Sequence, residues 1–134
     1  MPFSREKTTM AALEKIAQIA LTTQDLAKST AFYRDTLGLT LMFEVPGMAF
    51  FDIGGTRLMI GQAKLDGPLQ NNSYIYFDAG DWNATEAALA ARGVHFDRPA
   101  EIVQRAEGKE HAIRFFKDPD GHALAIMGWR PAKA

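Results

Sequence analysis

The feature that most constrains this chain is an internal repeat. The run Ile16-Ala17-Gln18-Ile19-Ala20-Leu21-Thr22 has the β-branched, apolar character of a strand. Asp25 follows where a helix N-cap belongs. Leu26, Tyr33 and Leu37 recur at helical spacing, and Gly38 supplies a stop. The second half repeats this order. Tyr74-Ile75-Tyr76-Phe77 reads as a strand, Asp81 caps, Trp82, Thr85 and Leu89 share a helical face, and Gly93 stops. Asp25 and Asp81 stand 56 positions apart, Gly38 and Gly93 55 apart. Asp52–Ile60 then parallels Asp118–Ile126 at a spacing of 66, so the second copy carries about ten extra residues between Gly93 and Asp118.

Each copy has room for three strands after its helix. In the first these are Leu39–Val45, Met48–Ile53 and Arg57–Gly61, parted by Pro46-Gly47 and Gly54-Gly55. In the second they are Val94–Val103, His111–Lys117 and Ala123–Trp129, with turns near Glu107-Gly108 and at Asp118–Gly121. The fold class is therefore α+β: two tandem βαβββ modules forming a curved mixed sheet around a central cavity, with helices Asp25–Leu37 and Asp81–Arg92 outside. Residues 1–14 form a leader, in which Met10 is an alternative start. Residues 15–66 form the first module, 67–72 a Gly- and Asn-bearing linker, and 73–130 the second module. An unrelated α+β sandwich whose halves agree by chance is the alternative.

Composition removes several function classes. The 134 residues are 47% apolar and 23% charged with a formal net charge of −1, which fits a globular domain and argues against a nucleic-acid footprint or an electrostatic membrane anchor. With no cysteine, disulfides, thiolate metal sites and cysteine nucleophiles are excluded. No apolar run approaches the roughly 20 residues of a membrane span, and residues 1–14 lack a signal-peptide core, so a cytoplasmic location is expected.

Two motifs carry a family resemblance. Phe32-Tyr33-Arg34-Asp35-Thr36-Leu37-Gly38-Leu39 resembles the "FY…LGL" helix end of the vicinal oxygen chelate superfamily, which includes glyoxalases, bleomycin-resistance proteins and extradiol dioxygenases. Asp118-Pro119-Asp120-Gly121-His122 resembles its "DPDG(N/H)" turn. The resemblance implies a divalent metal held from the first and fourth strand of each module. Those positions fall on Gln18, Met59, Tyr74 and Ala125. Only Gln18 is a plausible donor, because Met and Ala offer no hard oxygen or imidazole and a neutral Tyr binds such ions poorly. No metal and no other cofactor is expected.

Strand alternation sorts the remaining candidates. One parity collects Gln18, Ala20, Thr22, Arg57, Met59, Gly61, Tyr74, Tyr76, Asp78, His111, Ile113, Phe115, Ala123, Ala125 and Met127. The other collects Ile19, Leu21, Leu58, Ile60, Ile75, Phe77, Leu124 and Ile126, an apolar set suited to packing beneath helices. The first set is assigned to the cavity, with Gln18, Arg57, Met59, Tyr74, Tyr76, His111, Phe115 and Ala125 as ligand-binding candidates. An ordinary second core is the alternative. His111 and Tyr74 are the catalytic candidates. Arg57 can hold an anion or pair with Asp52 or Asp78, the more ordinary outcome. His95 is read as solvated at the start of an edge strand, and His122 as a turn residue bonded locally. The function expected is metal-independent binding of a small, partly apolar or aromatic molecule, by a chain that forms a homodimer. The alternative is an enzyme of the same superfamily, either a metal-dependent lyase or dioxygenase with atypical ligands or a metal-free lyase or isomerase.

Overall fold

The computed structural model describes residues 13, 15–64, 69 and 73–132. The leader and linker expected at 1–14 and 67–72 lie, Leu13 and Leu69 apart, outside these residues. The first module runs β1 (Gln18–Thr23), α1 (Leu26–Ala31), β2 (Thr40–Val45), β3 (Met48–Ile53) and β4 (Thr56–Gln62). The second runs β5 (Tyr74–Asp78), α2 (Trp82–Ala91), β6 (Glu101–Ala106), β7 (Lys109–Lys117) and β8 (Ala123–Pro131). Two βαβββ modules are thus present. Their strands form two four-stranded sheets, ordered β1-β4-β3-β2 and β5-β8-β7-β6. In each, the first strand is parallel to the last and stands at the sheet edge, and no ladder joins β1 to β5.

Local chemistry explains the elements. The Asp25 carboxylate accepts from the Lys28 N–H at 3.1 Å, and the Asp81 carboxylate from the Ala84 N–H at 3.0 Å, so both expected N-caps form. The first helix does not stay α-helical to its end. Residues Phe32–Thr36 form a wider π-helical turn, in which the Leu37 N–H reaches the Phe32 carbonyl at 2.9 Å. Gly38, at φ 75°, then reverses the chain. The duplication extends to irregularities: the β2–β3 ladder shifts register between Leu41 and Phe43, and the β6–β7 ladder between Ile102 and Gln104.

One expected strand is displaced. Residues 94–100 are irregular and β6 begins only at Glu101, because Pro99 cannot donate to a ladder. This irregular stretch falls within the extra length of the second copy. His95 is exposed, as expected, but sits in that loop rather than in a strand.

The apolar parity behaves as its composition demands. Leu21, Leu58, Ile60, Leu124 and Ile126 are buried and belong to a single cluster that also takes Tyr33, Phe51, Trp82, Leu89 and Phe116 from both modules. Ile19, Ile75 and Phe77 pack against it. The opposite parity is left as the free face of each sheet, and the candidate site lies there.

Candidate functional site

Several hydrogen bonds tie the modules together, and three of them use the Asp118–His122 turn singled out in the sequence. Tyr33, fully buried, donates its hydroxyl to Asp118 Oδ2 at 2.7 Å across a separation of 85 residues. Asp118 Oδ1 meanwhile accepts the backbone N–H groups of Asp120 and His122, holding the turn closed. Burial, then the negative charge of Asp118 and the hydrogen bond to it, push the Tyr33 phenol far above its ordinary range. Beside this link, His122 Nε2 lies 2.6 Å from the Thr22 carbonyl, and the Gln24 N–H donates to Asp120 Oδ1 at 2.8 Å. Since a carbonyl only accepts, Nε2 carries the proton. The expectation that His122 bonds locally is therefore half right. Its backbone does, but its buried ring spans the modules and satisfies the outer edge of β1.

On the free face of the first sheet, register places Gln18 beside Arg57 and Ala20 beside Met59. Phe50 is the neighbour of Met59 on β3, and Phe43 stacks on Phe50 with ring centroids 4.5 Å apart. The Arg57 guanidinium lies over both rings, 5.5 Å from the Phe50 centroid and 6.0 Å from that of Phe43. It makes no ion pair with Asp52 or Asp78, which corrects the more ordinary expectation. Asp52 instead caps its own turn through the Gly55 N–H, and Asp78 accepts from the Gly80 N–H.

On the free face of the second sheet, Tyr74, Tyr76 and Phe115 form one ring cluster. Centroid distances are 5.8 Å for Tyr74–Phe115, 6.0 Å for Tyr76–Phe115 and 6.4 Å between the tyrosines. Ala125 sits between Tyr76 and Phe115 in register and is fully covered. Tyr74 and Tyr76 are 59% and 47% exposed, so this face is not a filled second core. His111 stacks on Trp129 at 4.8 Å and 15°. The two line a cavity of about 430 Å³ together with Tyr76, Asp78, Gly80, Met127 and Gly128. Sequence reasoning missed Trp129, although its parity with His111 and Met127 was readable.

The candidates thus gather into two groups: Gln18, Arg57 and Met59 on one sheet, and Tyr74, Tyr76, His111, Phe115 and Ala125 on the other. No hydrogen bond or ring contact among the described residues joins the two faces. A second cavity of about 480 Å³ lies on the opposite, apolar side, between Ile19, Leu37, Ile75, Phe77 and Leu89. Among the described residues Asp78 is the only charged side chain in its lining, so it offers less chemistry than the free faces.

The linked motifs and the paired modules agree with a family profile, described as the Glyoxalase/Bleomycin resistance protein/Dioxygenase superfamily, which matches residues 15–126. The chain belongs to this superfamily. The uncharacterized protein YraH of Bacillus subtilis is 30% identical over 128 residues, covering 84% of this chain and 96% of its own. A metallothiol transferase FosB of Staphylococcus haemolyticus is 28% identical over 124 residues, covering 85% and 83% respectively. Among solved structures, a lactoylglutathione lyase from Agrobacterium tumefaciens superposes with a TM-score of 0.69 at 20% identity, over 87% of this chain and 94% of its own. SMU.1112c superposes at 0.71 with 23% identity, over 86% and 98%.

The metal positions implied by superfamily resemblance do not fit an ion here. Gln18 is one donor, while Met59 and Ala125 present a thioether and a methyl group. Among the described residues no three His, Asp or Glu side chains come together to replace them.

Proposed function

We propose that this superfamily member binds a small, partly apolar or aromatic molecule on its free sheet faces without a resident metal. The observation that carries the reading is the half-exposed ring cluster of Tyr74, Tyr76 and Phe115 above a floor of Ala125, at the place where superfamily resemblance expects metal ligands. Such a surface favours stacking and apolar burial, with Gln18 or His111 meeting a ligand's polar atoms.

A homodimer is part of the same proposal. Met48, Val45, Tyr74 and Tyr76 are exposed, and among the described residues β1 and β5 each have one edge without a strand partner. A second copy covering these faces would turn two open surfaces into enclosed sites, and sedimentation at micromolar concentration should show a dimer. A cytoplasmic location is part of the same proposal.

The test is a thermal-shift screen of purified protein against aromatic and antibiotic libraries, with divalent metal and again with chelator. A ligand at 100 times its Kd stabilises the native state by about 2.7 kcal/mol. Aromatic hits unchanged by chelator are expected. One tightly held ion per chain, lost in Gln18→Ala, would overturn the metal-free reading.

A second reading, an enzyme, is favoured by the convergence of His111, Tyr76 and Asp78 on one cavity and by relatives named as transferases. It predicts turnover abolished by His111→Ala with ligand affinity largely kept.

A further inference from the structure

Arg57 and Gln18 lie side by side on the free face of β4 and β1, and both have unused donors. Among the described residues neither side chain makes a hydrogen bond, and Arg57 has no ion-pair partner, although Asp52 is its register neighbour on β3. The guanidinium nonetheless lies over the Phe43–Phe50 stack, while the residue stays open to solvent. Met59 follows two residues on along the same face, with its sulfur leaning towards Gly61. A planar cation over an aromatic shelf, with an exposed amide at the neighbouring register position, offers donors for a planar anion with an attached ring.

We infer that the first module's free face recognises an aromatic carboxylate. The carboxylate accepts from the Arg57 guanidinium and the Gln18 amide, and its ring packs on Phe43, Phe50 and Met59. A neutral aromatic can use the rings but leaves both donor groups unanswered. The cation therefore selects charge while the shelf selects shape. This inference rests on the reading of the free faces as a small-molecule site and narrows it to one ligand class.

The experiment compares 2-naphthoate with 2-naphthamide, which share a ring system and differ in charge, by isothermal titration calorimetry on the full chain in low salt with chelator. The wild-type protein should bind naphthoate about tenfold more tightly, the scale of one charge-assisted contact near solvent. In Arg57→Gln the two affinities should converge to within about twofold while that for naphthamide stays unchanged, which also reports that the variant is folded. Phe43→Ala should weaken both probes together. Met59→Glu, which sets a carboxylate beside Arg57, should remove the preference as Arg57→Gln does.

Equal binding of the two probes to wild type would overturn the inference and leave the small-molecule reading standing. A preference that survives Arg57→Gln would overturn it as well, since another cation would then hold the charge. If neither probe binds, the reading of the faces as an aromatic site falls, and the inference with it.

Discussion

Replacing Tyr33 by Phe removes one oxygen and keeps the ring. The edge-on contact with Phe32 and the tilted contact with Phe51, at 5.3 and 5.9 Å, should survive. What is lost is the 2.7 Å bond to Asp118 Oδ2 in a site where tyrosine is fully buried and aspartate nearly so. A hydrogen bond to a charged acceptor contributes about 1.5–3 kcal/mol. Asp118 keeps its two backbone donors on the other oxygen, so the carboxylate is not stranded, and about 2 kcal/mol is the reasoned loss. With an unfolding entropy of roughly 2.1 cal/mol/K per residue, a chain this long should melt about 7 °C lower. Scanning calorimetry reads this directly. It also compares calorimetric with van't Hoff enthalpy, a ratio that should rise above one if the link couples the modules. A melting temperature within 2 °C of wild type, with the ratio unchanged, would refute the account of Tyr33 as an inter-module tie.

The same phenol gives a pH prediction. Its folded-state pKa is raised, so its stabilisation is complete below the unfolded value near 10 and is lost as pH climbs above it, at up to about 1.4 kcal/mol per pH unit. Urea midpoints measured up the alkaline limb should fall less steeply in Tyr33→Phe, and parallel limbs would contradict the assignment. His122→Ala should lower the urea midpoint by the equivalent of about 1 kcal/mol, because it strips the Thr22 carbonyl of its donor in a partly buried site; an unchanged midpoint would show that solvent takes over. Met59→Glu with Ala125→Glu should weaken aromatic binding in chelator, as undisturbed affinity would place the ligand elsewhere. Ala125→Glu alone should also destabilise the fold, since that methyl is covered; a melting temperature equal to wild type would contradict its burial.

Much of the architecture was legible because it rests on local chemistry. Asp25 and Asp81 cap where expected, Met48–Ile53 is a strand at the expected bounds, and strict alternation separates buried Leu58 and Ile60 from half-exposed Met59. The π-helical turn before Gly38 was not legible, for periodicity over five residues does not distinguish a wide turn from an α-helical one. Residues 94–100 misled because their apolar members, Val94 and Phe96, serve loop packing rather than a ladder. The reach of His122 was hidden for another reason. Its partner is a backbone carbonyl 100 positions away, and a carbonyl leaves no mark in the residue alphabet. The same limit applied to Arg57, whose neglect of Asp52 depends on two phenylalanines from other strands.

The tie between the modules is built unequally, and that has a consequence for the repeat itself. The position matching Tyr33 in the second copy is Leu89, and the position matching His122 in the first is Thr56, whose hydroxyl donates to Ile16 of its own module. One copy supplies the phenol, and the other supplies the carboxylate and imidazole. A chain made by doubling the second half would hold two receptive turns, each facing a leucine, and one made by doubling the first would keep Asp52 opposite each phenol but put Thr56 where the imidazole stands. The duplicates have become lock and key to each other, so neither half can any longer stand in for its twin.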